Sequence, residues 1–410
     1  MNHYLRLAVV LGLITAVGPF AVDMYLPALP TIGASLNAST AGVQASLMSF
    51  FIVFGVCQLF YGPLADIFGR KLPIYGGLVL FTIGSIGCAL SPDIETLIVF
   101  RIVQAFGSCA GMVVPRAIVR DLHTGHEATR LMSLLLLVMS VSPIMAPLFG
   151  SGVIAVIGWR GVFWALTVAA LIALCLAHFA LEETRPAEAR HGSTWGSAFR
   201  SYRSLLKDRH FIGLSMVGAF GLSAFFVYLG NSPFVLKQQY GLAEWQFSLC
   251  FSLNAASFFG VSQLTGFMTK RYGLAPVVRV SVAGMAIAMT ILAAVMLSGF
   301  DTLPVMIVGL FIGYGFLGLV LPTAGVLSLE HHGAIAGAAS ALGGALGMMT
   351  GAVIMALSGL FAEAGSKPMV AMIALCALLA SVTTYVTLRK PQSDELARDP
   401  LIKKPGHAPK

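Results

Sequence analysis

Apolar residues run along this chain in long stretches separated by short polar breaks. A helix needs about 20 apolar residues to cross a hydrocarbon layer, and stretches of that order cover 5–29, 43–64, 72–90, 94–119, 131–157 and 162–181. After a polar interval, six more cover 211–236, 247–268, 277–297, 303–327, 335–361 and 369–388. The pattern predicts an all-α integral membrane protein of twelve transmembrane helices. The first stretch is too long, and too soon followed by others, to be a cleaved leader, and no small-residue cleavage site closes it.

The polar interval divides the chain. It carries Glu182, Glu183, Arg185, Pro186, Glu188 and Arg190 ahead of a basic, weakly amphipathic stretch around Phe199 to Leu206. The expected organisation is an N-terminal six-helix bundle over 1–181, a cytoplasmic linker over 182–210, a C-terminal six-helix bundle over 211–390 and a disordered cytoplasmic tail over 391–410, where Pro400, Pro405 and Pro409 lie among charges. Gly62 and Gly69, after the second stretch, recur at the same spacing as Gly266 and Gly273 after the eighth. With six spans per half, this predicts two pseudo-symmetric bundles around a midplane site.

Composition removes whole classes of function. Charged residues make up 10% of the 410 positions and apolar residues 57%, whereas soluble domains are about 25% charged. A soluble enzyme or nucleic-acid-binding protein is excluded. The net charge of +8 is explained by where the cations fall. On a path of twelve spans, all of the 25 Lys and Arg gather on one face except Arg160, Lys237, Lys367 and the intramembrane Arg101. Positive residues mark the cytoplasmic side, so both termini are expected there and no nucleic acid is needed as partner. The six cysteines sit in apolar runs without CxxC spacing and read as packing residues rather than disulfides or zinc ligands.

Only Asp23 and Arg101 are ionisable residues well inside the apolar stretches. Each costs roughly 2.5–3.5 kcal/mol at a helix centre, and such residues are functional candidates by default. The rise from Arg6 to Asp23 is about 26 Å and the descent from Asp93 to Arg101 about 12 Å, which puts both in the outer half of the membrane. They are expected to face each other across the first and fourth helices. A carboxyl poised between a cation and an apolar wall gains or loses a proton as water access changes; the bland alternative is a static ion pair.

Three motifs add a resemblance. Gly62-Pro63-Leu64-Ala65-Asp66-Ile67-Phe68-Gly69-Arg70-Lys71 closely matches the loop motif GxLADxxGRK of the major facilitator superfamily. Arg101-Ile102-Val103-Gln104-Ala105-Phe106-Gly107 resembles its fourth-helix RxxQ motif, and Ala146-Pro147-Leu148-Phe149-Gly150-Ser151 its fifth-helix antiporter motif GPxxGG, with Ala146 and Ser151 in place of glycines. The run from Val22 to Pro30, with Gln58 to Asp66 and Arg120-Asp121, resembles the bicyclomycin-resistance multidrug efflux family over nearly the whole chain. The resemblance implies the major facilitator fold and export of drugs in exchange for protons, through alternating openings of two bundles in a bacterial inner membrane. It makes Asp23 the proton carrier and Arg101 its partner. Asp66, Gly69 and Arg70, with Gly62 and Lys71, would form a cytoplasmic latch between the bundles.

A substrate cavity should be apolar with a few polar groups. Tyr25, Gln58, Phe225, Tyr228, Asn231, Asn254 and Gln263 are the candidates, since aromatic and amide side chains stack on or hydrogen-bond a ring-bearing compound; helix packing explains each equally well. Pro143 and Pro147, with Gly150, are expected to bend the fifth helix. Gly343, Gly347 and Gly351 form a small-residue stripe that permits tight helix contact. No HExxH, Walker loop or nucleophile elbow occurs, and no metal site is read. The expected protein is therefore a secondary transporter and not an enzyme. It would be a monomer that needs no cofactor, with the proton as coupling ion and small drug-like molecules, protons and the lipid bilayer as partners. Export or import of a natural metabolite is the alternative within that class, and a channel or membrane sensor the alternative outside it.

Overall fold

The computed structural model describes residues 3–123, 125–190, 194–361 and 364–389, so the tail over 391–410 lies outside the described residues. Among these residues there is no strand, and twelve helical spans are long and apolar enough to cross a membrane. In chain order the helices are α1 (His3–Asp23), α2 (Leu29–Ser35), α3 (Thr40–Phe68), α4 (Lys71–Leu90), α5 (Ile94–Leu122), α6 (Gly125–Ile157) and α7 (Trp159–Ala180). There follow α8 (Trp195–Lys207), α9 (Arg209–Phe234), α10 (Glu244–Ser262), α11 (Thr265–Tyr272), α12 (Leu274–Leu297), α13 (Leu303–Leu329), α14 (Ala336–Gly359) and α15 (Ser366–Leu388).

The first span is not one helix ending near Leu29. It runs on to Ser35, and α1 stops at Asp23, followed by a 3₁₀ turn over Leu26–Ala28 and then α2. Pro27 and Pro30 cause the break, because neither has an N–H for the carbonyl one turn earlier. The seventh span, the first of the second half, is also irregular: α9 carries Pro233 and passes into a π-helical turn over Val235–Gln239. The fifth span is different. Helix α6 continues unbroken through Pro143 and Pro147.

Helix α1 packs on α5, α6 and α7, α4 on α5 and α7, and α3 on α5; in the second half α9 packs on α13, α14 and α15, α12 on α13 and α15, and α10 on α13. The halves meet chiefly along α3–α14 and α6–α10. Backbones come close where side chains vanish: a Cβ on Gly107 of α5 would run into the Gly77 carbonyl of α4. In the glycine stripe only Gly351 works the same way, against Phe226 of α9; Gly343 and Gly347 face Ser215 and Leu222 at a distance that would admit a Cβ. Large apolar side chains such as Val156 and Phe179 point outward, 83% and 76% exposed, where lipid rather than water solvates them.

The linker helix α8 touches both halves. Thr194 caps it by accepting from the Ser197 N–H. Tyr202 donates to the Leu59 carbonyl of α3 at 2.9 Å, while Leu205 packs in a cluster with Phe211, Ala339 and Leu342.

Candidate functional site

A cavity of about 760 Å³ lies between the halves. Its walls come from the ends of α3, α5, α9, α13 and α14 that lie beside the linker, and Asp66, Arg70, Arg120 and Thr194 place its mouth on the basic face. The opposite face is sealed by contacts that cross from the first half to the second, with the Lys237–Glu244 ion pair of the second half beside them. Gln44 Nε2 donates to the Gly230 carbonyl at 2.9 Å and to Asn231 Oδ1 at 3.2 Å. Ser248 Oγ lies 2.5 Å from Ser151 Oγ and donates to the Pro147 carbonyl, and Ser252 donates to the Ile144 carbonyl at 2.6 Å. Lys237 Nζ reaches both the Pro27 carbonyl at 3.2 Å and Glu244 Oε1 at 2.9 Å. One mouth is open and the other shut.

Asp23 and Arg101 do not form the expected pair. Arg101 is fully buried, and its Nη1 donates to the Ala21 carbonyl at 3.0 Å and to Gln104 Oε1 at 2.6 Å; Gln104 in turn donates to Ser85. The guanidinium carbon lies 4.5 Å from the Tyr25 ring centre and 4.3 Å from that of Phe50, within cation–π range. The break in α1 explains this arrangement. Met24 N–H bonds to the Phe20 carbonyl and Tyr25 N–H to that of Val22, which leaves the Ala21 carbonyl without a backbone donor. Arg101 caps that carbonyl and puts a positive charge at the negative end of the helix dipole. Asp23, two residues on, is 5% exposed, and among the described residues it has no hydrogen bond or ion pair. It is not among the residues lining the cavity. Gly150 of α6 packs on this break, where any Cβ would strike the Met24 carbonyl.

The latch motif also closes differently from expectation. Arg70 donates from Nε to Asp121 at 2.7 Å, from Nη1 to Asp66 at 2.8 Å and from Nη2 to Asp121 at 3.2 Å. The Arg70 and Lys71 N–H groups donate to Glu183 at 2.8 and 3.2 Å. Gly69 holds φ at +92°, left-handed backbone suited to glycine, and a side chain there would meet Glu183. Asp66 and Asp121 lie in the last turns of α3 and α5, and Glu183 follows α7. The motif therefore clasps three chain ends of one half and does not bridge the halves. Gly62 makes no close approach and lines the cavity instead, and the Lys71 ammonium lies over the Tyr75 ring, 5.7 Å from its centre.

Burial pushes the Glu183 carboxyl up, but the N–H groups of Arg70, Arg185 and Lys71 and the charge of Arg190 outweigh it and hold the group below the usual carboxylate range. Its contribution to the clasp is complete above the unfolded-state value and is lost as pH falls through the folded one. Amide-exchange protection at Arg70 and Lys71, corrected for intrinsic rates, should fall as pH drops below about 4, and Glu183→Gln should weaken it already at neutral pH. Protection unchanged in both cases would show that the carboxylate does not hold the turn.

The profile of the Major Facilitator Superfamily matches residues 11–352. The chain belongs to this superfamily. It is 34% identical over 384 residues to the uncharacterized MFS-type transporter YdgK of Bacillus subtilis, covering 93% of this chain and 95% of the relative. It is 26% identical to a bicyclomycin resistance protein homolog of Haemophilus influenzae, covering 92% and 94%, and 28% identical to a chloramphenicol resistance protein of Pseudomonas aeruginosa, covering 82% and 80%. The crystal structure of a D-xylose-proton symporter superposes with a TM-score of 0.75 at 16% identity over 95% of this chain and 98% of that one, a likeness of fold. This major facilitator protein is thus a multi-pass membrane transporter and not an enzyme, and the channel reading falls.

Of the seven residues proposed to line its substrate cavity, only Gln58 does so. Tyr25 is buried within the first half, its hydroxyl 2.6 Å from Ser46 Oγ. Phe225, Tyr228 and Asn254 sit inside the second half, where Tyr228 stacks on Phe251 and accepts from Asn254 at 3.0 Å, and Phe225 packs on Phe258 and Tyr314. Asn231 belongs to the seal. Gln263 is exposed beside the α10–α11 turn. The reason is rotational: a helix apolar all round has no polar face to show which side turns inward. Sequence reasoning missed Gln44, Ser248, Lys237, Asp121 and Glu183. Ser151 is both a small replacement for glycine and a bonding group, since its hydroxyl donates to the Glu244 carbonyl at 3.1 Å.

Proposed function

We propose that this transporter is a proton-coupled exporter of small amphipathic or apolar compounds, working as a monomer with its basic face and both termini in the cytoplasm of a bacterial cell. Asp23 carries the reading, as an acid whose side chain has no partner among the described residues, deep in the membrane at the break of the first helix. The bicyclomycin- and chloramphenicol-resistance names of two relatives support a drug as cargo. A proton moving inward gains about 2.3 kcal/mol per 100 mV, and the proton is the coupling ion with no cofactor required.

The cavity does not reach Asp23, so substrate and proton do not share one chamber in this conformation. Coupling runs through the helix break. The turn Leu26–Ala28 packs on α6, α9 and α10, and Lys237 donates to its Pro27 carbonyl, so the segment after Asp23 is part of the far-face seal. Opening that seal exposes the acid to the outer side while the cavity empties, and a protonated Asp23 favours resealing and return. Reconstituted vesicles with a trapped pH dye test this. Chloramphenicol added against a proton gradient should move protons opposite to itself; parallel movement, or none, would overturn the reading.

Lys237 gives a second expectation. Its ion pair is partly exposed, and Lys237→Met should weaken the seal by about 1 kcal/mol, roughly fivefold in the balance of the two conformations. Labelling rates of a cysteine placed at Ser248 should rise accordingly; an unchanged rate would remove Lys237 from the gate.

A further inference from the structure

The two buried polar atoms left without partners in the cavity, Gln58 Nε2 and Ser215 Oγ, can each donate a hydrogen bond, and this bears on the kind of compound it accepts. Four charged side chains line it: Asp66, Arg70, Arg116 and Arg120. Asp66, the one carboxylate among the described lining residues, meets Arg70 at 2.8 Å and Arg185 at 3.4 Å through Oδ1, and Arg70 is also tied to Asp121. Arg116 and Arg120 are different. Among the described residues neither meets a carboxylate, and the hydrogen bond Arg116 makes is to the weakly accepting Met139 sulfur at 3.2 Å.

Deeper in, two more groups await partners. Gln58 and Ser215 are 7% and 9% exposed, and Gln58 Nε2 and Ser215 Oγ are buried without a hydrogen bond. Gln58 comes from α3, Ser215 from α9, and Gly344 of α14 lies against the Gln58 carbonyl oxygen, so this orphaned pair marks the seam where the halves meet. Along their helices Gln58 is about 15 Å and Arg116 about 9 Å from the basic end. The surrounding wall is apolar and adaptable, with Met112, Met132 and Met348 as its flexible members.

Resting on the reading that this cavity receives the substrate, we infer that it selects amphipathic compounds bearing an anionic, acceptor-rich group, held by Arg116, with the apolar body against the methionines and a further acceptor on Gln58 and Ser215. Lipophilic cations are disfavoured, because the one carboxylate among the described lining residues is already shared by Arg70 and Arg185 and two further guanidinium groups repel them.

Three probes with one ring system test this: dansylglycine as anion, dansylglycinamide as neutral form and dansylethylenediamine as cation. Binding to the full chain in discs of zwitterionic lipid is read from dansyl emission after subtracting empty discs. The anion should bind about tenfold more tightly than the cation. Arg116→Gln should bring the two within about twofold while leaving the neutral probe unchanged, and Arg116→Lys should keep the anion preference. Equal or tighter binding of the cation to the wild-type protein overturns the inference, as does a preference that survives in Arg116→Gln or a failure of all three probes to bind. The wild-type comparison decides even if a variant does not fold. Anionic lipid shares the recognised chemistry: displacement of dansylglycine by phosphatidylglycerol in the discs would assign the site to a lipid headgroup and overturn the substrate assignment. Because binding is measured without a gradient, the inference can fail while proton exchange holds, and the reverse.

Discussion

Asp23→Asn should abolish uphill transport while leaving substrate exchange intact. Asparagine keeps the shape of the side chain but cannot ionise, and among the described residues the Asp23 side chain has no hydrogen bond or ion pair whose loss would disturb packing. A single proton moving down 100 mV supports about a fiftyfold substrate gradient, from about 2.3 kcal/mol at 1.36 kcal/mol per decade. Accumulation in vesicles should therefore collapse from that order to the passive level. Counterflow of labelled against unlabelled substrate should continue, because it needs only the cavity and the alternation. An asparagine variant that still concentrates substrate against a gradient would remove Asp23 from the coupling step.

The second large effect is expected at Arg70. Its side chain is 5% exposed and ties Asp66 and Asp121, which are 45% and 20% exposed. Removing the cation from a buried pair costs about 3–5 kcal/mol; with both carboxylates reaching solvent, the loss discounts to about 2 kcal/mol. Arg70→Met should lower the melting temperature followed by tryptophan emission, and Arg70→Lys should recover little, since one ammonium cannot replace the paired contacts to Asp121. Adding Asp121→Asn to Arg70→Met should restore part of the loss by removing the stranded charge. Full stability in the single methionine variant would show that the clasp is ornamental.

The RxxQ spacing predicts which two residues share a face but not the partner that Arg101 finds. Arg101 and Gln104 are three residues apart on one helix face and therefore meet, which the sequence allows one to read. That the guanidinium would serve a stranded carbonyl depends on where α1 breaks. The apolar run continues past Pro27 to Leu29, with Pro30 just beyond it, and conceals the interruption. The clasp shows the same limit: the turn around Gly69 was legible, whereas Asp121 and Glu183 arrive from positions distant in the chain.

By itself the sequence determined that this chain lives in lipid, how many times it crosses, and which loops collect the cations. Those properties follow from residue type and spacing along one dimension, because a bilayer tests each segment for length and polarity before segments meet. The tertiary structure alone decided which side chains face the cavity, which shut the far mouth, and which partner each buried group finds. Helices without a polar side can rotate freely in any reading of the sequence, and only packing against neighbours fixes the angle.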